Sequence, residues 1–500
     1  MLTAKYQVPI TKCYIRHVLE QECKSPGRDE PRPFWSMLWE SRKYFLLVTL
    51  AAFALRLFFY IRFPHVTGDS LIYGDIARNW LDHGIYGLSR ALGPQPTWIR
   101  LPGYPAFLAA CFVLFGREHY HAVLLAQIVI DVAGCFFTAD LARRTVSVRA
   151  GRLAFLLAAL CPFTANYAVA PLAETLSIFF VAVALDCAVA AFTALNEGRS
   201  SWTAWTWCGL AVSAGIMLRP DGGILLISIG LFLLWRMWQR PGERAHLFGA
   251  GALVLAIAIA PLVPWTLRNW RDFHRFLPLA PRYANDPDEF VPEGFDKWVR
   301  TWIADFVSTD EIYWNIPGDA IDEHLLPSRA FDSAEQREKT EAIFRDYDRI
   351  RFVNPELSAR FGELANERIR AHPLRYYVWL PMLRIGDMWV RPRTEMLPVT
   401  SRWWEYWNDR HDFMVAAIWG LLNLLCLFAA VKGVVHGPRP RYLALMLLFV
   451  LLRSAFLGSL ENPEPRYTLE CYPIVFVLGA SWMSGWKRGA ASDPKPDPSG

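Results

Sequence analysis

The sequence predicts an all-α integral membrane protein: a transmembrane bundle of about ten helices, with surface helices at its outer face and a helical region outside the membrane. Three observations carry this. Of 500 residues, 53% are hydrophobic and only 20% charged, below the roughly 25% charge of an average soluble protein. Many apolar runs approach the roughly 20 residues that a helix needs to cross hydrocarbon. Arg-rich and Lys-rich stretches separate these runs in positions that fit one shared cytoplasmic face.

Taken in order, a polar leader (1–43) precedes the first apolar run and argues against a cleaved signal peptide. The predicted spans are 44–63, 121–140, 152–168, 174–195, 203–218, 221–238, 246–265, 412–431, 442–458 and 468–486. Two further segments, 103–116 and 374–391, are apolar but ambiguous. The basic clusters settle them. "ARRTVSVRAGR" holds Arg143, Arg144, Arg149 and Arg152; "RMWQRPGERAH" holds Arg236, Arg240 and Arg244; "KGVVHGPRPR" holds Lys432, Arg439 and Arg441; "WKRGA" follows the last span. If all four are cytoplasmic, neither ambiguous segment can cross. Each is then a re-entrant or surface helix at the outer face. Segment 374–391 mixes Trp, Tyr and Arg, as interfacial helices do.

The chain thus divides into a cytoplasmic segment (1–43), a membrane module (44–270) with a first outer loop (64–102), an outer loop region (271–411), closing spans (412–486) and a disordered tail (487–500). Within the outer region, "SAEQREKTEAIFRDYDRIRF" opens with Ser333 and Gln336 in capping-box positions. "NPELSARFGELANERIRAHP" has Asn354 as cap, Pro355 at the first helical position and Pro373 as stop, with Leu357, Phe361 and Leu364 on one face. Seven of the nine cysteines lie in or beside apolar runs; Cys13 and Cys23 are in the leader. Their spacing suggests buried thiols rather than a metal site.

The opening of the first outer loop, "VTGDSLIYGDIARNW", carries acids where the chain leaves the bilayer. In a helix starting near Gly68, Asp69 and Tyr73 share a face, while Asp75 points about 120° away. By themselves, Asp69 or Ser70 read equally well as a helix cap. Glu174 sits at the outer turn between two spans, where it could snorkel to the interface. Arg100, Arg219, Arg268, Arg384 and Arg466 fall on the same side. One such arginine is ordinarily a headgroup anchor; five beside two acids suit a phosphate held by planar guanidinium forks. Trp98, Trp389, Trp403 and Trp404 fit an interfacial belt or a sugar wall.

Glycine-rich nucleotide loops are absent. "DPD" at Asp286 to Asp288 reads as a turn. A transporter would place charge at mid-span, where Asp131 and Asp186 are the main candidates, and would often show inverted repeats, which are not evident. A structural scaffold leaves the clustered arginines without a role.

The order of motifs is an acid after the first span, Arg100 before "PGYP", Glu174 between the third and fourth spans, then "RPDG", "PWTLRN" and a closing "EPRY". It resembles the GT-C superfamily of membrane glycosyltransferases, of the protein O-mannosyltransferase and aminoarabinose lipid A transferase type. The likeness covers roughly 44–270 and 374–486. It implies a polyprenyl-phosphate sugar donor, a hydroxyl acceptor (lipid, glycan or protein) and inversion at the anomeric carbon. Asp69 matches the first-loop catalytic acid, with Ser70 where relatives often carry glutamate; Glu174 matches the second acid. Arg100 matches the phosphate-contacting base, and Arg268 a further one. The expected binding set is Tyr73, Asp75, Arg100, Tyr104 of "PGYP", Arg219, Arg268, Arg384, Arg466 and Tyr467. No cofactor is required, and nothing calls for a metal, although a divalent ion is compatible. Partners are the lipid-linked donor, the acceptor and membrane lipids, not nucleic acid. The expected location is a bacterial inner membrane with the site facing the periplasm. The alternatives are a lipid-linked glycan polymerase or ligase, and a flippase. Segment 280–370 has no counterpart and is a candidate seat of substrate choice.

Overall fold

The computed structural model describes residues 33–405 and 409–485. The leader cysteines Cys13 and Cys23, "WKRGA" beyond Gly485 and the predicted tail lie outside them. Helices dominate, in the order α1 (Phe34–Glu40), α2 (Arg42–Arg62), α3 (Gly68–His83), α4 (Gly103–Phe115), α5 (Tyr120–Thr145), α6 (Val148–Ala159), α7 (Pro162–Tyr167), α8 (Glu174–Asn196), α9 (Trp202–Leu218), α10 (Gly223–Gln239), α11 (Arg244–Ile259), α12 (Leu262–Phe273), α13 (Glu293–Arg300), α14 (Ala334–Ile350), α15 (Pro355–Ala371), α16 (Leu380–Val390), α17 (Arg410–Val435), α18 (Leu443–Gly458) and α19 (Tyr472–Gly485). The sequence did not suggest the antiparallel hairpin β1 (Gly87–Arg90) and β2 (Gly93–Pro96) between α3 and α4.

Among the described residues, six helical stretches are long and apolar enough to cross a membrane: 42–62, 120–145, 174–196, 220–239, 241–273 and 410–435. The remaining predicted spans are shorter or broken. The run 152–168 breaks between α6 and α7, where Pro162 lacks an amide hydrogen. Residues 465–471 enter the last span as 3₁₀ turns before α19. α12 continues α11 past Pro261. α5 packs against α6 and α8, α8 against α9, and α19 against α17 and α6.

The two ends of the bundle are chemically distinct. At one, the Arg441 amide donates to the Thr145 carbonyl, and Asn196 joins Tyr442 and Arg240. The loops predicted to share one face therefore meet. At the other end, α4 is a 13-residue helix whose start abuts the end of α9. A Cβ on Gly103 would lie 2.5 Å from the Met217 carbonyl oxygen, so the glycine of "PGYP" permits this contact.

Both mid-span acids are paired. Arg56 of α2, fully buried, donates to Asp131 at 2.6 Å and to the Ala159 carbonyl at 2.5 Å. Arg144 reaches Asp186 at 3.0 Å.

Between α12 and α17 the chain builds a separate small core, with Trp298, Trp302, Phe344, Tyr347 and Phe361 at its centre. α14 is capped by Ser333, which accepts the Gln336 amide at 3.1 Å. The Gln336 side chain takes the Asp332 amide instead of closing a capping box. α15 is capped by Asn354 and begins at Pro355 as expected. Leu357, Phe361 and Leu364 face this core.

Arg56→Leu should leave the Asp131 carboxylate buried without its partner and cost about 3–5 kcal/mol. Arg56→Leu combined with Asp131→Leu should recover most of that loss, measured by thermal unfolding in detergent.

Candidate active site

The site begins with a capping decision. α3 is capped by Thr67, not by Asp69 or Ser70. The Thr67 hydroxyl accepts the Ser70 amide at 3.3 Å, and the Ser70 hydroxyl accepts the Thr67 amide at 3.2 Å. This box satisfies the helix start and frees the Asp69 carboxylate. Ser70 thus closes the cap at the position where a glutamate was expected.

Asp69 accepts a hydrogen bond from Arg100 at 2.8 Å and lies 3.5 Å from Arg466. Arg466 is the hub. Its guanidinium also meets Glu464 at 2.6 Å and Glu174 at 3.6 Å. Arg219 holds Glu174 at 3.1 Å and Asp221 at 3.1 Å, and its guanidinium lies over the Tyr467 ring at 4.7 Å. Arg453 anchors Asp221 from below at 3.0 Å. Tyr73 lies under Arg100, 5.6 Å from ring centre to guanidinium.

Electrostatics follow from this packing. Burial pushes the Asp69 carboxyl upward, but Arg100 and Arg466 outweigh it, and its pKa lies below the usual carboxylate value. Burial pushes the Glu464 carboxyl up, against the pull of Arg466. Glu395, whose carboxylate oxygens have no hydrogen-bond partner, is pushed by burial to about 7.

A cavity of about 960 Å³ opens beside this cluster. Asp69, Arg100, Glu464, Arg466 and Tyr467 line its membrane side. Its other wall comes from the small core between α12 and α17.

The structure brings together Asp69, Tyr73, Arg100, Glu174, Arg219, Arg466 and Tyr467. It assigns other expected residues elsewhere. Glu174 is buried behind Arg219 and Arg466 and does not line the cavity. Asp75 accepts from Arg78 and from the Ser89 amide at 2.7 Å, tying α3 to the hairpin. Tyr104 is fully buried and donates to Gln127 at 2.6 Å. Arg268 donates to the carbonyls of Thr97 (2.7 Å) and Tyr86 (2.6 Å) and pairs with Asp272. Arg384 donates to the carbonyls of Ile303, Gly458 and Arg300. These two arginines satisfy buried backbone oxygens and do not line the cavity. Nor do Trp98, Trp389, Trp403 and Trp404.

Sequence reasoning missed Glu464, although it stands two residues before Arg466 in the same motif. Glu395 and Tyr167, also on the cavity, carried no sequence signal. Among the described residues, Asp409, His411 and Asp412 could gather round a metal. They cap α17 instead, with Asp409 accepting two amides and Asp412 the Thr400 amide. At the site itself Arg466 lies between the carboxylates, so the group presents guanidinium to the cavity.

The family profile of dolichyl-phosphate-mannose-protein mannosyltransferases matches residues 95–265, about a third of the chain. In backbone, the chain is similar to the oligosaccharyltransferase AglB from Archaeoglobus fulgidus, solved with an inhibitory peptide and a dolichol-phosphate. That likeness has a TM-score of 0.51 and 12% identity, and covers 90% of this chain and 52% of AglB. At this level of identity the likeness is one of fold. The chain spans about half the length of AglB. It is also similar to ArnT from Cupriavidus metallidurans, solved with undecaprenyl phosphate, at 14% identity and TM-score 0.37, over 89% of this chain and 78% of ArnT. No curated protein matches the sequence. The segment matched by the family profile includes Arg100, Glu174 and Arg219; Asp69 and Arg466 fall outside it and join them only in the fold.

Removing Arg466 deprives two carboxylates that are about 95% buried, whereas Asp69, the partner of Arg100, is one-third exposed. Arg466→Met should therefore cost about 3 kcal/mol and Arg100→Met about 1 kcal/mol or less, compared by thermal unfolding in detergent.

Proposed function

We propose that the chain is an inverting glycosyltransferase that moves a monosaccharide from a polyprenyl-phosphate carrier to a hydroxyl acceptor at the cavity beside Asp69. The single observation carrying this reading is that Asp69 lies on the cavity wall between two guanidinium groups, Arg100 and Arg466. An acid beside a ready anion site is what displacement of a lipid phosphate needs. The match of residues 95–265 to the dolichyl-phosphate-mannose-protein mannosyltransferase profile supports the same class of donor, and the dolichol-phosphate bound by AglB supports a lipid carrier.

The acceptor oxygen attacks the anomeric carbon as the bond from that carbon to the phosphate oxygen breaks. The bonding pair leaves on the phosphate, and the acceptor proton passes to the Asp69 carboxylate. Attack opposite the leaving group inverts the centre. Arg100 and Arg466 stabilise the charge that grows on the phosphate, each donor typically contributing about 3 kcal/mol. Glu174, behind Arg219 and Arg466, is a positioning residue that fixes their orientation.

The same geometry supplies a switch for the base. Free of substrate, Asp69 is a weak base because arginines hold its pKa down. A bound phosphate competes for those guanidiniums and reduces their pull. Its pKa then rises, so proton acceptance is favoured only once donor is in place.

The cavity lies at the end of the bundle away from the basic loops. With those loops cytoplasmic, it faces the outside, which is the periplasm for a bacterial inner membrane. The flippase reading loses its mid-span charges to the Arg56–Asp131 and Arg144–Asp186 pairs.

Asp69→Asn should lower kcat by about 10²–10⁴-fold while prenyl-phosphate binding persists, measured by transfer of radiolabelled sugar from a panel of prenyl-phosphate monosaccharides. Transfer at the wild-type rate would remove Asp69 as the base. Arg100→Gln should instead weaken prenyl-phosphate binding as well as rate. In pH profiles, the acid limb of kcat, which reports the donor complex, should lie at higher pH than that of kcat/KM, which reports free enzyme.

A further inference from the structure

The cavity has two unlike walls. Its membrane side is cationic, through Arg100 and Arg466. Its far side, from the segment between α12 and α17, carries aromatic rings, carboxylates and two arginines, Arg282 and Arg391, which pair with Glu461 and Asp387. Phe290, Trp314 and Phe352 line it and are 45%, 45% and 49% exposed. Large rings left this open beside a reaction site need an explanation, because apolar surface of that size is ordinarily covered.

Of these, Trp314 is braced by a neighbouring ring, and Tyr313 and Phe295 beside it are ordered by their own contacts. Trp314 meets Phe306 edge-on, with centroids 5.5 Å apart at 83°. Tyr313 stacks on Phe295 at 6.2 Å and 13°, and its hydroxyl donates to Asp296 at 3.1 Å. Asp296 and Asp310 line the same wall. Among the described residues neither is in an ion pair. Burial pushes the Asp296 carboxyl up to about 6.

We infer that this wall is an acceptor subsite for a neutral glycan, which rests on the transferase reading above. Sugar rings present apolar C–H faces that lie flat on aromatic rings, and hydroxyls around their edge that donate to carboxylates. Phe290, Trp314 and Phe352 supply the first contact; Asp296 and Asp310 supply the second. Arg282 and Arg391 on this wall already face Glu461 and Asp387, so Asp296 and Asp310 disfavour an anionic acceptor here. A peptide acceptor adding a strand would need a sheet edge, and the hairpin β1–β2 does not line the cavity. A cavity of about 960 Å³ is at the upper end of the roughly 300–1,000 Å³ range of ligand sites, room for a donor headgroup and acceptor units together. The segment 280–370 then acts as the acceptor-selecting part of the enzyme.

The test uses the full chain in lipid nanodiscs and saturation-transfer NMR. The probes are neutral manno-, gluco-, galacto- and arabino-trisaccharides at millimolar concentration, with a threonine-containing peptide for comparison. At least one trisaccharide should bind, with its ring C–H protons saturating most strongly. Trp314→Ala and Phe352→Ala should each weaken it by about tenfold, and Trp314→Tyr should restore much of the loss. Prenyl-phosphate binding should be unchanged in all three. The inference is overturned if no trisaccharide binds, if binding survives both alanine variants, or if the peptide is preferred. Failure of the wild-type protein to bind prenyl phosphate would instead sink the donor reading, which separates the two.

Discussion

One guanidinium, that of Arg466, organises the cavity end of this protein. It lies within 3.6 Å of carboxylate oxygens from three separate parts of the chain: Asp69 of α3, Glu174 at the start of α8, and Glu464 before α19. Burying one charge obliges the fold to bring others to it. The first outer loop, the α7–α8 turn and the approach to the last span are therefore locked together by a shared electrostatic need. Arg219 and Arg453 extend the network downward through Asp221.

The same constraint explains how Asp69, the base in the proposed reaction, is left available. The helix start at α3 is satisfied by Thr67 and Ser70, so Asp69 has no capping duty. Its neighbours are arginines that an anion can share. A carboxylate held only by such partners is ionised at rest and becomes more basic when the partners are drawn to a phosphate. Structure and chemistry thus meet at a single ion pair, Asp69–Arg100.

Arginine is used in two ways. Arg100 and Arg466 line the cavity. Arg268 and Arg384, equally prominent in the sequence, close on backbone carbonyls that no helix hydrogen bond reaches. Residue type is identical in both groups. The difference lies in what surrounds each side chain, which depends on contacts far along the chain, such as Arg384 with Gly458.

What the sequence alone determined follows from local rules. Apolar run length gave the helical bundle. Cap residues placed α14 and α15, and the order of motifs pointed to the superfamily. Asp69, Arg100, Glu174, Arg219 and Arg466 were legible as a group because each stands at a turn beside an apolar run. The tertiary structure alone decided which of them line the cavity, that Glu174 lies behind the arginines, and that Asp75, Tyr104, Arg268 and Arg384 serve the scaffold. It also revealed Glu464, Glu395 and the aromatic wall built around Trp314. These depend on side chains hundreds of residues apart meeting in space, and neither periodicity nor hydropathy encodes such distances.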